Sequence, residues 1–142
     1  MKIFFALLLL LGLNHDVRAA AADAATRAEA RELYAKSIAF KTSEGLGQVP
    51  AYAAYLSDKL QEGGFDAKDI RILPLGETAS LVVRYRGDGS AGKPVLLLAH
   101  MDVVTANPSD WKRDPFTLIE ENGYFFGRGT ADIKADISLI VA

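Results

Sequence analysis

The sequence predicts an α/β fold, the N-terminal part of a layered α/β domain whose sheet is incomplete. Three observations predict it. Two stretches of helical apolar spacing come first, over residues 26–40 and 49–62. Strand-like runs follow, and Pro94 to Ala99 is apolar on both faces, as in a central buried strand. A last helical pattern from Ile133 to Ala142 has no strand after it, so it reads as half of a crossover unit.

Each element has a local cause. Ala30, Leu33, Tyr34, Ser37 and Ile38 fall at helical spacing, with Arg and Glu between them. Thr42 to Gly47 holds two glycines and reads as a loop. The second helix, Val49 to Glu62, tolerates Pro50 in its first turn and stops at Gly63-Gly64. Its face is Tyr52, Tyr55, Leu56, Lys59 and Leu60, the Lys59 stem lying along the edge. Ile70 to Leu75 is a short strand. Ser80 to Arg86 is half exposed, with Leu81, Val83 and Tyr85 on one face. Asp88 to Gly92 turns the chain. Phe116 to Glu121 and Tyr124 to Phe126 flank Asn122-Gly123, a hairpin signal because both turn residues need φ > 0. The final helix puts Ile133, Ile137, Ile140 and Val141 on its apolar side.

Composition narrows the class. The 142 residues are 50% hydrophobic and 24% charged, which suits one domain with a core and excludes intrinsic disorder. A formal charge of −2 offers no basic field to nucleic acid. There is no cysteine, so no disulfide forms and any metal site must use His and carboxylate ligands.

Residues 1–19 read as a signal peptide and residues 20–142 as the domain portion. Lys2 is a short basic start, Ile3 to Leu13 an apolar run of eleven residues, and Val17-Arg18-Ala19 a cleavage signature. That run falls short of the roughly 20 residues of a membrane span, although an uncleaved anchor helix is the other reading. Export to the periplasm or the exterior follows, with no stable membrane span after cleavage. Cleavage leaves 14 basic against 17 acidic residues, a net charge of −3, and removes His15. His100 is then the single histidine.

The chemistry-bearing residues cluster after the apolar run. His100 and Asp102, two positions apart, share a face and converge past the strand's C-terminal end, where open α/β sheets bind ligands. An imidazole nitrogen ligates zinc, and a carboxylate beside it can fix the ring's orientation. Asp132 follows the turn Gly127-Arg128-Gly129, whose glycines permit a sharp backbone reversal. Arg128 sits where it can pair with nearby carboxylates. Singly, each has a plainer reading: a hydrogen-bonded structural histidine, an ordinary turn, and a packed loop at Trp111, Pro115 and Phe116. Tyr52 and Tyr55 read as core, and Glu120-Glu121 as a solvated hairpin end.

Taken together the segments are specific. His100-Met101-Asp102-Val103-Val104, Trp111, Asp114-Pro115-Phe116, Glu121-Asn122-Gly123 and Gly127 to Lys134 closely resemble metallopeptidase family M20. That family comprises zinc-dependent carboxypeptidases, dipeptidases, aminoacylases and desuccinylases. The likeness is strongest from Val95 to Ala142 and looser over the helices before it. It implies that the fold is part of a layered α/β zinc-hydrolase catalytic domain. By resemblance His100 matches the first zinc ligand, Asp102 the catalytic-site aspartate that orients a ligand histidine, and Asp132 the carboxylate bridging two metal ions. Thr105 departs from the proline common there, and Ile133 from a second aspartate. The general-base glutamate, the third carboxylate ligand and the last histidine of the pattern fall beyond Ala142.

The resemblance implies an exported hydrolase of an amide bond in small peptides or N-acyl amino acids. Its cofactor would be two zinc ions, with cobalt or manganese possible in their place. The whole protein would carry a smaller second domain and could pair as a homodimer. The alternative is a truncated, non-catalytic α/β product or a binding module. For this polypeptide itself the expectation is little activity and poor stability, because an open sheet edge and an uncovered helix face would expose apolar surface.

Overall fold

A computed structural model describes residues 21–90 and 92–142. The expected signal peptide, residues 1–19, lies outside the described residues. Helix α1 (Ala24–Ala39) starts where the Asp23 side chain accepts from the Thr26 N–H at 2.8 Å, which satisfies one of the free donors of a helix start. Its inner stripe is Leu33, Tyr34, Ser37 and Ile38. Helix α2 (Val49–Glu62) has Pro50 in its first turn and the expected bounds. It closes with Gly64 at φ 96°, the Gly64 N–H on the Gln61 carbonyl at 3.0 Å and the Phe65 N–H on the Leu60 carbonyl at 2.9 Å. These two bonds satisfy carbonyls that the helix end leaves free.

Strands β1 (Ile70–Leu75) and β2 (Thr78–Val83) form an antiparallel hairpin, registered from Ile70 opposite Val83 to Leu75 opposite Thr78. Strands β3 (Ile119–Glu121) and β4 (Tyr124–Phe126) form a second. Asn122 at φ 53° and Gly123 at φ 79° make the turn that the dipeptide predicts. Helix α3 (Ala135–Val141) follows an irregular turn over Thr130–Lys134. The architecture is thus mixed α/β with small antiparallel sheets.

The core forms between the layers. Tyr52 and Leu56 of α2 meet Ile137 of α3, with Phe40, Tyr55, Leu81, Met101 and Val141 packed around them. Phe40 stacks on Tyr52 at 5.1 Å between ring centroids. Helix α1 packs against α3, and α2 lies across β1 and β2.

Four expectations are corrected. Pro94 to Ala99 is not a buried central strand: it pairs with no described strand, and Val95 and Leu98 are 85% and 79% exposed. A strand buries both faces only between neighbours and covering layers, and each described sheet pairs within itself. The last helix begins at Ala135 rather than Ile133, because Asp132 (φ −137°, ψ 89°) and Ile133 (φ −140°, ψ 27°) leave helical geometry. Ile140, placed on the apolar side of that helix, is exposed. Tyr85 does not turn inward with Leu81, since β2 ends at Val83; it is exposed and lies against Phe65 at 5.7 Å.

Candidate metal centre

His100 and Asp102 sit on a stretch, residues 94–107, with no regular secondary structure. Buried Thr42 holds this arm, because the residue just after α1 faces it. The Thr42 hydroxyl donates to the Met101 carbonyl at 2.7 Å, and the Val103 N–H donates to the Thr42 carbonyl at 3.3 Å.

A second arm, residues 127–134, brings Asp132. The Arg128 N–H donates to the Pro115 carbonyl at 2.6 Å, and the Tyr34 hydroxyl donates to the Thr130 carbonyl at 2.9 Å. Gly129 has φ 85°, and a Cβ there would stand 2.8 Å from Val103 Cγ1 and 3.2 Å from Lys134 Cδ. Glycine is therefore required twice, for the backbone and for the space.

Lys134 is fully buried, and among the described residues no carboxylate pairs with its ammonium. Its Nζ donates to the Ser37 carbonyl at 2.9 Å and the Phe40 carbonyl at 2.7 Å, and it lies 5.3 Å from the centre of the Tyr52 ring. Burial pushes its pKa down to about 8. The two carbonyls and the ring oppose that push by favouring the cation. The sequence reading quoted Lys134 within the motif but gave it no role. The available signal was a lone lysine between the core-facing Ile133 and Ile137.

The two arms meet at a direct contact. His100 Nε2 lies 2.9 Å from Asp132 Oδ1, although the residues are 32 apart in sequence. His100 Nδ1 lies 3.0 Å from the Asp102 main-chain oxygen and 3.4 Å from its carboxylate Oδ1. Both ring nitrogens thus face oxygen acceptors, an arrangement that suits the imidazolium. The Asp132 hydrogen bond chiefly raises the His100 pKa, desolvation lowers it, and the Asp102 main-chain oxygen and the two carboxylate charges add to the rise. The contact is open to solvent: the Asp132 side chain is 85% exposed.

The donor set fits a divalent ion in kind: one imidazole nitrogen and one carboxylate oxygen, pointing at each other from opposed arms. Two such donors on one tetrahedral zinc stand roughly 3.4 Å apart, so the 2.9 Å pair needs to open by about half an ångström. Among the described residues no group of three or more His, Cys, Asp or Glu side chains gathers as a metal cage. A groove of about 550 Å³ lined by Tyr34, Phe125 and Leu139 among others includes neither His100 nor Asp132.

Among the described residues Arg128 pairs with no carboxylate, contrary to expectation. Its guanidinium lies 5.1 Å over the Trp111 ring, and its buried Nε has no hydrogen-bond partner among the described residues. The Trp111 ring takes the place expected of an acid. Trp111 and Pro115-Phe116 do form a packed loop, and the Asp114 carboxylate accepts from the Phe116 N–H at 2.9 Å and the Thr117 hydroxyl at 2.7 Å.

The segment that carries this contact is a known one. The model of Peptidase family M20/M25/M40 matches residues 96–142. The chain is also similar to proteins named succinyl-diaminopimelate desuccinylase. That of Bordetella petrii is 38% identical over 87 residues, covering 61% of this chain and 21% of the relative. That of Xanthomonas campestris pv. campestris is 36% identical over 89 residues, 62% of this chain and 22% of the relative. That of Stenotrophomonas maltophilia is 39% identical over 88 residues, 61% of this chain and 22% of the relative. The chain spans about a fifth of the length of these curated relatives. The M20 relationship expected from the motifs is thereby shown over the part of the chain that holds His100, Asp102 and Asp132.

Proposed function

We propose that this chain is the N-terminal part of an exported M20-type metallohydrolase that cleaves an amide bond in small peptides or N-acyl amino acids. One observation carries the reading: His100 Nε2 and Asp132 Oδ1 meet at 2.9 Å inside the segment that matches the family. The relatives' names point to succinyl amides as one substrate class, and removal of a succinyl group breaks the same kind of bond as dipeptide cleavage.

In this reading His100 Nε2 and the Asp132 carboxylate hold divalent metal, zinc first, with cobalt or manganese able to replace it. Bound metal supplies a Lewis acid for a carbonyl oxygen and acidifies water. The chain's own residues do the positioning. The Asp102 main-chain oxygen takes the Nδ1 proton, fixing the tautomer that leaves Nε2 free for a metal, and the Asp102 carboxylate at 3.4 Å reinforces that choice. Asp132 stands exposed and can use either oxygen. The remaining ligands and the general base are proposed to come from polypeptide outside this sequence, in keeping with the length of the relatives. A smaller dimerisation domain belongs to the same proposal.

The test is hydrolysis of N-succinyl amino acids and dipeptides by the whole gene product. Chelation should abolish turnover and zinc should restore it. His100→Ala and Asp132→Ala should each lower kcat/KM by a factor on the order of 10³. Chelator-insensitive turnover, or a zinc-loaded product inert toward both substrate classes, would refute the reading.

A further inference from the structure

We propose that the end of α1 and the residues after it, Ser37 to Thr42, form the platform that sets the His100–Asp132 contact, with Thr42 and Lys134 as its two positioning residues. The proposal deepens the reading above, since the contact is the pair assigned to metal.

The contact needs an external support. Both side chains are exposed, and both arms lack regular structure around them. An exposed ion pair contributes little by itself and cannot hold two loops in register. Each arm is instead tied to the same six residues. Thr42 grips the first arm on both sides of Asp102, through the Met101 carbonyl at 2.7 Å and the Val103 N–H at 3.3 Å. Lys134 ties the second arm, two residues beyond Asp132, to the Ser37 and Phe40 carbonyls.

Those two carbonyls lie at the end of α1, whose negative pole favours a cation, and each also accepts one main-chain bond, Ser37 from the Phe40 N–H at 3.3 Å and Phe40 from the Thr42 N–H at 3.1 Å. A buried ammonium without a carboxylate is costly, and an apolar side chain of similar length would fill the space without that cost. What lysine adds is a further, charge-assisted donor to each of the two carbonyls, and with it a tie between the arm and the end of α1. The platform is rigid in turn, because Phe40 stacks on the buried Tyr52 ring. The arms also meet at Gly129, where Val103 Cγ1 and the Lys134 stem both border the space that a Cβ would take. Held at both ends and at this crossing, His100 and Asp132 have little freedom to drift apart.

The experiment follows nuclear Overhauser cross-peaks between the His100 ring protons and the Asp132 β-protons in the full chain at one pH. Thermal melts and cobalt titration accompany it. Thr42→Val removes the hydroxyl donor, and Thr42→Ser keeps it. Thr42→Val should lose at least about half of the cross-peak intensity and weaken cobalt binding by about tenfold, while Thr42→Ser stays near the parent chain. Lys134→Met should behave as Thr42→Val does, and if one of these two variants does not fold the other decides. Unchanged cross-peaks in a folded variant, or equal losses in Thr42→Ser and Thr42→Val, would overturn the proposal, as would a parent chain without the cross-peaks. A parent chain that shows them yet takes up no cobalt refutes the metal reading and leaves the platform standing.

Discussion

At His100 the nitrogen proposed to take a metal ion is the one that faces the Asp132 carboxylate at 2.9 Å. The Asp132 hydrogen bond, above all, lifts the imidazole pKa above its ordinary value of 6.5. The sign follows from linkage. The imidazolium contact is fully present below the unfolded pKa, and its contribution fades as pH rises through the raised folded value. Asp132→Asn removes the largest cause, so its His100 titration midpoint, read from the ring-proton shifts, should fall below that of the parent chain; an unchanged midpoint would contradict the contact. Type and spacing single out His100, Asp102 and Asp132 in the sequence, and the structure brings the three side by side. Thr42 and Lys134 were not legible as supports. Their partners are main-chain carbonyls 59 and 94 residues away, and a carbonyl has no signature in sequence.

Among the elements, α1, α2, β1 and the second hairpin matched expectation, whereas residues 94–99 and the start of the last helix did not. Pro50 and Gly63-Gly64 bound α2, and Asn122-Gly123 fixed the second hairpin, since each signal acts through φ alone. The arm that carries Asp132 is different, because its path depends on what it packs against. Two glycines separate these cases. Gly123 has φ 79° with open space around its Cβ position, so Gly123→Ala should cost about 1 kcal/mol from backbone strain alone. Gly129 adds a 2.8 Å approach to Val103, so Gly129→Ala should cost about 3 kcal/mol. Urea midpoints at constant m-value measure both, and equal losses would show that the crowding at Gly129 relaxes.

For the molecule as a whole, the exposed apolar surface is the dominant property. Val95, Leu96, Leu97 and Leu98 are 67–85% exposed on one unpaired stretch, and Leu139 and Ile140 of α3 also face solvent. Contiguous apolar surface of this kind drives association. The chain by itself should therefore bind a hydrophobic dye and sediment as concentration-dependent oligomers, and Leu96→Lys with Leu98→Lys should reduce both. A dye-free monomer at all concentrations would contradict this. The sequence by itself determined the α/β class, the first two helices, the hairpin turn and the residue types of the proposed metal pair, because periodicity, turn chemistry and side-chain type are local properties. Only the tertiary structure decided that the apolar run at 95–98 stays unpaired, that Arg128 faces Trp111, and that residues 37–42 hydrogen-bond to both arms. Those outcomes depend on which distant groups come into contact, and main-chain hydrogen bonds and burial between distant segments leave no local pattern to read.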